Sequence, residues 1–462
     1  MSKLPFIPLT AISPIDGRYR EQVEQLALYF SEYALIGYRV DIEINYAIAL
    51  TKKVPKWKKF DNEGSLGKLK AYIGDFHKGE SGFTVELAQQ VKDIEIAINH
   101  DVKAVEKFLR GLVADSELKE LIHFALTSFD LNGVAQPLML KKALHNVYMP
   151  LLENVIDELK GMRHEWDHIT MLARTHGQPA SPTKLGKEFG VFIERLEKQY
   201  DLLKGLNHYG KMGGAVGNFN AHVAAFPTIN WPDFADKFVG SYGLERLQTT
   251  TQIEHYDDIA AIFDALKRIN TILIGLDRDV WTYISMDYFK QKIKEKETGS
   301  SAMPHKINPI DWENSEGNLG LANAMFEHFS AKLPISRLQR DLSDSTVLRN
   351  VGYAMALTVI GLKSILKGTG KLLINENKIW FDLNKNVVVI SEGIQTILRR
   401  EGFPNSYDVL KELTRKNKEI TLEDLHEFID SLKVSDAVKT ELKQITPENY
   451  TGIYSELYNP ED

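Results

Sequence analysis

The segment GSSAMPHKINP, residues 299–309, sets two adjacent hydroxyls, Ser300 and Ser301, between a glycine and the cation Lys306. Gly299 frees the backbone, and Pro304 and Pro309 restrict it. Asn308 followed by Pro309 reads as an N-cap with proline at the first helical position, so a helix is predicted to start there. Asp311 and Glu313 then fall in or next to its first turn, where the macrodipole favours acids. A hydroxyl-rich loop ahead of a helix can bind an anion or carry a catalytic group, and the same spacing also fits a mobile connector. In RTHGQPASPTKLGKE, residues 174–188, His176 stands beside Thr175 in a predicted loop ahead of a helix starting at Leu185. An exposed imidazole with a pKa near ~6.5 suits general acid or base work, although a lone histidine is more often structural.

Three further segments offer polar groups for an anion. TSFD, residues 127–130, supplies Thr127 and Ser128 as short donors for a carboxylate or phosphate. Its residues alone favour a helix cap by Ser128 or Asp130. DGRY, residues 16–19, supplies Arg18, a planar bidentate donor, and Tyr19. SRLQRDLSDSTVLRN, residues 336–350, is dense in arginine and hydroxyls and reads either as an anion site or as a salt-bridged helix start. Among the other classes considered, there is no HExxH and no GxxxxGK[ST], and the glycines of 210–217 follow no predicted strand. Dinucleotide and P-loop readings are rejected, and no metal-ligand spacing is found.

The elements that must hold these segments are helical. Apolar residues recur three or four apart from Leu185 through Phe189, Phe192, Leu196, Tyr200 and Leu203. A second stripe runs from Ile259 to Ile284, roughly seven turns. A third runs from Leu151 through Leu159 and Trp166 to Ile169. Alternating runs are scarce, so the predicted class is all-α or nearly so. Stripes this long need a bundle, and several of them point to one shared between subunits. Glycine and proline clusters interrupt the pattern at 210–232 and 299–309. Composition changes near 111 and 365 divide the chain into predicted domains 1–111, 112–364 and 365–462.

With 462 residues, 43% hydrophobic and 26% charged, the composition is that of an ordinary globular protein of more than one core. A net charge of −7 gives no reason to expect nucleic acid or an anionic membrane as partner. Thiolate nucleophiles, iron–sulfur clusters and disulfides are excluded because cysteine is absent. The start, MSKLPFIPLT, has no secretory pattern, and no run approaches the ~18 apolar residues of a membrane span. The expectation is a soluble cytoplasmic protein. The lysines from Lys52 to Lys59 read as a solvated surface.

Taken together, T-S-x-D, T-H-G-Q-P and G-S-S-x-M-P-x-K-x-N-P, in that order, resemble the signatures of the fumarase/aspartase superfamily of lyases. Within it the chain is most similar to the adenylosuccinate lyases of the longer bacterial form, on SPIDGRY, NHDVKAV, RTHGQPA, GAVGNFNAH, TTQIE, GSSAMPHKINPIDWENSEGN and RDLSDSTVLRN. The resemblance covers nearly the whole chain. It implies a three-domain helical homotetramer with a central twenty-helix bundle and active sites shared by three subunits. It implies no cofactor. The implied reactions release fumarate from adenylosuccinate, giving AMP, and from SAICAR, giving AICAR.

By the same resemblance, Ser300 would be the general base, His176 the general acid, and Glu313 the group that orients the histidine. Thr127, Ser128, Thr175, Ser301, Lys306 and Asn308 would hold the carboxylates. Asn99, His100, Asp101, Gln252 and Asn314 would line the nucleotide site. Arg18, Tyr19, Arg340, Ser345, Thr346 and Arg349 would bind the phosphate or its neighbours. The chain departs from the family pattern at Phe129, where an acid is expected, and at His255-Tyr256, where proline and histidine are expected; neither is expected to touch the residues given chemical roles. The rival readings are a sibling lyase acting on argininosuccinate, malate or aspartate, and a non-catalytic scaffold that kept the fold. The arginine-rich segment argues for a nucleotide, and the presence of Ser300, His176 and Lys306 argues against a scaffold.

Overall fold

A computed structural model describes residues 4–5, 7–74, 81–292, 303, 305–414 and 420–454. Ser300 and Ser301 lie outside the described residues, as does most of the 290–303 loop. The principal elements in chain order are α1 (Glu32–Lys53), α2 (Val85–Ile98), α3 (Asp101–Leu112), α4 (Ser128–Ala143), α5 (Met149–Glu165), β1 (Thr170–Thr175), β2 (Gln178–Lys184), α6 (Leu185–Lys204), α7 (Trp231–Gly240), α8 (Asp257–Ser285), α9 (Ile310–Lys332), α10 (Ser343–Leu348) and α11 (Val351–Thr369). Shorter helices follow to Lys443. The class is all-α, as the stripes predict, with only short two-stranded pairings among the described residues.

The chain divides into two compact units. The first comprises 1–153, 199–271 and 317–363; the second comprises 154–198, 272–316 and 364–462. The core of the first unit surrounds α1, whose residues from Ala34 to Leu50 are buried almost without interruption and are mostly apolar. A helix apolar on every side is buried on every side. Ser31 starts it by accepting from the Ala34 amide at 3.1 Å. In the second unit a separate apolar cluster forms around Ile390, Ile394, Leu398, Leu425, Ile429 and Leu442. Lys52, Lys56, Lys58 and Lys59 are exposed, as expected, while Trp57 and Phe60 between them are buried.

Four expectations need correction. The third apolar stripe does not remain helical to Ile169: α5 ends at Glu165, and the chain then enters an antiparallel hairpin, β1 and β2. His176 therefore stands at a hairpin tip and not in an irregular loop. The helix near Asn308 begins at Ile310, with the Pro309 carbonyl accepting from the amides of Trp312 and Glu313 at 3.1 and 3.3 Å. Proline thus stands just outside the first helical residue. The cap at TSFD is not made by Ser128: Thr127 is the N-cap of α4, and Asp130, the other residue favoured, completes the cap by accepting from the Thr127 amide. Finally, the helical stretch Ser343–Thr369 is long and apolar enough to cross a membrane by length and composition, but 72% of its apolar window is buried within the protein. Such a helix serves a core equally well.

Candidate active site

The hairpin tip explains itself locally. Thr175 pairs with Gln178, so His176 and Gly177 are the two turn residues, at φ 53° and 74°. Positive φ at both central positions is the type I′ geometry that matches the twist of a hairpin. Glycine takes it freely, and histidine is among the residues that tolerate it. His176 and Thr175 are exposed. In the same unit, Lys306 is exposed and Asn308 half-buried. Glu313, in the first turn of α9, accepts from the Trp281 indole at 3.1 Å, and Asn314 donates to Ser364 at 2.8 Å. Among the described residues of one chain, no hydrogen bond joins His176 to Glu313.

The other unit holds the remaining candidates, and they are densely tied. Asp130, with no exposure, accepts from Lys211 Nζ at 2.8 Å and from the Gly213 and Gly214 amides at 2.9 and 3.1 Å through Oδ1. Its Oδ2 accepts from the Thr127 amide at 2.8 Å. Lys211 is equally buried and also donates to the Gly214 carbonyl at 2.6 Å. Burial pulls the Lys211 ammonium below its ordinary range, and Asp130 opposes that pull. A buried ion pair is tolerable only when its spare donors and acceptors are satisfied in this way. Gly217, further along the same loop, is needed for close approach: it sits at φ 83°, and a Cβ there would lie 2.3 Å from the Thr250 carbonyl oxygen. This network fixes the start of α4 and with it the half-buried Thr127 and Ser128.

Asp101 joins two arginines. Arg39 Nη2 donates to it at 2.8 Å, and Arg349 Nη2 lies 3.7 Å away. Burial would raise the Asp101 carboxyl, but Arg39, the Val102 amide and Arg349 outweigh it and hold it below the ordinary carboxylate range. Arg39 is buried in α1 and also bonds Asn132 at 2.8 Å. Asn99 ends α2 at φ 53°, and His100 starts α3, its Nδ1 accepting from the Lys103 amide at 3.1 Å. That acceptor role places the proton of the neutral ring on Nε2.

Arg340 gathers three more candidates. It donates to Gln252 Oε1 at 3.2 Å and to Ser345 Oγ at 3.4 Å. Thr346 and Arg349, on the same short helix and just beyond it, are exposed. Arg18 is exposed too, its guanidinium carbon 6.0 Å from the ring centroid of Tyr19. Beneath Arg340 lies Phe129, 5.5 Å from guanidinium carbon to ring centroid, and Phe129 meets Tyr256 edge to face at 6.2 Å. The two departures from the family pattern therefore touch each other and a candidate phosphate ligand, contrary to expectation. Glu254 is buried, its Oε1 has no hydrogen-bond partner among the described residues, and burial pushes its carboxyl well above the usual range.

Several of these residues escaped the sequence. Arg39 and Glu43 carry one usable signal, charges four apart among apolar neighbours of one helix, which forces each to be paired if that face is buried. Lys211 and Glu254 carry none. Among the described residues, no group of three or more His, Cys, Asp or Glu is placed to hold a metal ion.

Comparison with known proteins agrees with the fold and narrows the chemistry. The family description "Lyase" matches residues 17–325, and "Adenylosuccinate lyase C-terminal" matches residues 336–451. An adenylosuccinate lyase of Dictyostelium discoideum is 52% identical over 458 residues, 96% of this chain and 97% of that protein. An adenylosuccinate lyase of Escherichia coli K12 is 46% identical over 453 residues, 96% of this chain and 97% of that protein. The structure of a fumarate lyase from Mesorhizobium sp. BNC1 superimposes with a TM-score of 0.75 at 15% identity, covering 93% of this chain and 95% of the other. A 3-carboxy-cis,cis-muconate lactonizing enzyme from Pseudomonas putida superimposes with a TM-score of 0.72 at 16% identity, covering 93% and 94%. On the full-length identity to the first two, the chain is a lyase and belongs to the adenylosuccinate lyase family.

Proposed function

We propose that this lyase releases fumarate from adenylosuccinate, giving AMP, and from SAICAR, giving AICAR, as a homotetramer whose sites draw on more than one subunit. The observation that supports a phosphorylated substrate is Arg340: among the described residues, no carboxylate lies within ion-pairing distance of it. Its hydrogen-bond partners there are the neutral Gln252 and Ser345. An arginine held in place but not neutralised keeps its charge for an anion.

In this reading Ser300, as alkoxide, takes the proton from the carbon beside a succinyl carboxylate. Electron density moves onto that carboxylate, then forms the fumarate double bond as the carbon–nitrogen bond breaks. His176 delivers a proton to the departing nitrogen, and Glu313 orients it. Lys306, Asn308, Ser301, Thr127, Ser128 and Thr175 stabilise the extra carboxylate charge more than the ground state, which is what lowers the barrier. Serine is a poor base in water, so its loop must close and exclude solvent for this role. Arg18, Tyr19, Arg349 and Thr346 join Arg340 and Ser345 around the phosphate, and Asn99, His100, Asp101, Gln252 and Asn314 surround the base and ribose.

The test is a substrate panel followed by ultraviolet absorbance. Adenylosuccinate should be consumed with AMP appearing in equal amount. Turnover of argininosuccinate, malate or aspartate without turnover of adenylosuccinate would reassign the chain to a sibling activity.

A further inference from the structure

The geometry assigns Phe129 and Tyr256 as positioning residues for Arg340, an aromatic mount that fixes the guanidinium without neutralising it. The inference rests on the reading that Arg340 takes the substrate's phosphate. Phe129 is the second residue of α4 and is buried; its ring lies under the guanidinium at 5.5 Å. Tyr256 is also buried and meets that ring edge to face, at an interplanar angle of 82°. The Tyr256 hydroxyl donates to Asp344 Oδ2 at 2.8 Å, and Asp344 Oδ1 accepts from the Ser345 amide at 2.6 Å. Ser345 is the residue whose hydroxyl accepts from Arg340.

Arg340 is thus bounded on one face by Phe129 and on two edges by Gln252 and by Ser345. The Tyr256–Asp344 bond holds Ser345 in turn. The flat face of a guanidinium is weakly hydrated, so a ring beneath it costs little desolvation and gains cation–π attraction. A carboxylate in the same place would attract more strongly, but it would compete with an incoming anion for the same charge. The aromatic face leaves the in-plane N–H donors as the only strong attachment points. Among the described residues two of the five engage Gln252 and Ser345, which leaves three for a phosphate.

The test uses the full-length enzyme and competitive inhibition by AMP and by adenosine. Phe129→Leu keeps apolar bulk but removes the ring face, and Tyr256→Phe keeps the ring but removes the hydroxyl. Each should weaken AMP inhibition and raise KM for adenylosuccinate by about two- to five-fold, with kcat little changed. Adenosine, which lacks the phosphate, should inhibit both variants as it does the unsubstituted enzyme. In an Arg340→Ala background, Phe129→Leu should add no further loss. Equal weakening of AMP and adenosine, or an undiminished effect of Phe129→Leu without Arg340, would overturn the assignment. If Arg340→Ala leaves AMP inhibition unchanged, the phosphate reading itself falls. If Arg340→Ala weakens AMP while Phe129→Leu and Tyr256→Phe do not, only the aromatic mount falls.

Discussion

The start of α4 and the β1–β2 hairpin tip are built in opposite ways. At the first, Asp130, Lys211 and two glycine amides lock a buried charge pair under Thr127 and Ser128. At the second, His176 stands exposed on two left-handed residues with no hydrogen-bond partner among the described residues. The candidates for holding phosphate and nucleotide lie almost entirely in the first compact unit. His176, Glu313, Lys306 and Asn308 lie in the second, with Ser300 in its sequence range. The contrast teaches a division of labour. In the proposed function, the recognition groups of the first unit are preorganised inside one chain, where fixed dipoles and paired charges need no reorganisation on binding. His176, proposed to move a proton, is left accessible, and in the proposed function its site is completed by substrate, by loop closure and by neighbouring chains.

The sharpest way to break this contrast is to remove the groups proposed to move protons. Ser300→Ala and His176→Ala should each lower kcat by about 10²-fold to 10⁴-fold, the usual worth of a positioned proton-transfer group, while adenylosuccinate still binds. Stopped-flow or equilibrium binding beside steady-state rates would separate the two effects, and near-normal turnover by Ser300→Ala would move the base to Ser301 or elsewhere. On the buried side the expected loss is of folding. Asp130→Ala strands Lys211 in the core and should cost about 3–5 kcal/mol, measured by denaturant midpoint. A stability change within the range of surface substitutions would show that the pair does not hold this region.

Arg340→Ala should raise KM for adenylosuccinate about tenfold to a hundredfold, the worth of a charge-assisted hydrogen bond of ~1.5–3 kcal/mol. Unchanged KM would remove the phosphate role. The smallest expected effect concerns His123, whose ring nitrogen lies 3.0 Å from the buried Glu43. Burial pulls the imidazole pKa down, but the Glu43 carboxylate outweighs it and the pKa is raised above its ordinary 6.5. The pair therefore contributes stability that is full below about pH 6.5 and is lost as pH rises through the raised value. Denaturation midpoints at pH 6 and pH 9 should fall less in Glu43→Gln than in the unsubstituted protein. Equal slopes would show that the dyad carries no proton-linked stability.

How much of this the sequence shows depends on the range of the interaction. The long helices are legible because their apolar stripes repeat every three or four residues, and α6 and α8 run close to where those stripes place them. The family motifs carry the candidate roles, since the exposed His176 cannot be told from a structural histidine by its neighbours. The hairpin is hidden because the short run Thr170–Thr175 follows an apolar helical stripe without a break. Asp130 and Lys211 are 81 residues apart, and nothing local to either marks the other as its partner. Phe129 and Tyr256 look like isolated departures until the fold brings their rings together.

The proposed function has the proton-moving groups of one site come from different chains. Mixing Ser300→Ala protein with His176→Ala protein, each inactive alone, tests it in a single assay of adenylosuccinate cleavage after subunit exchange. If each site takes its serine and its histidine from different subunits, random assembly should restore about a quarter of the sites. Activity that stays at the sum of the two separate variants, despite demonstrated exchange, would contradict the claim.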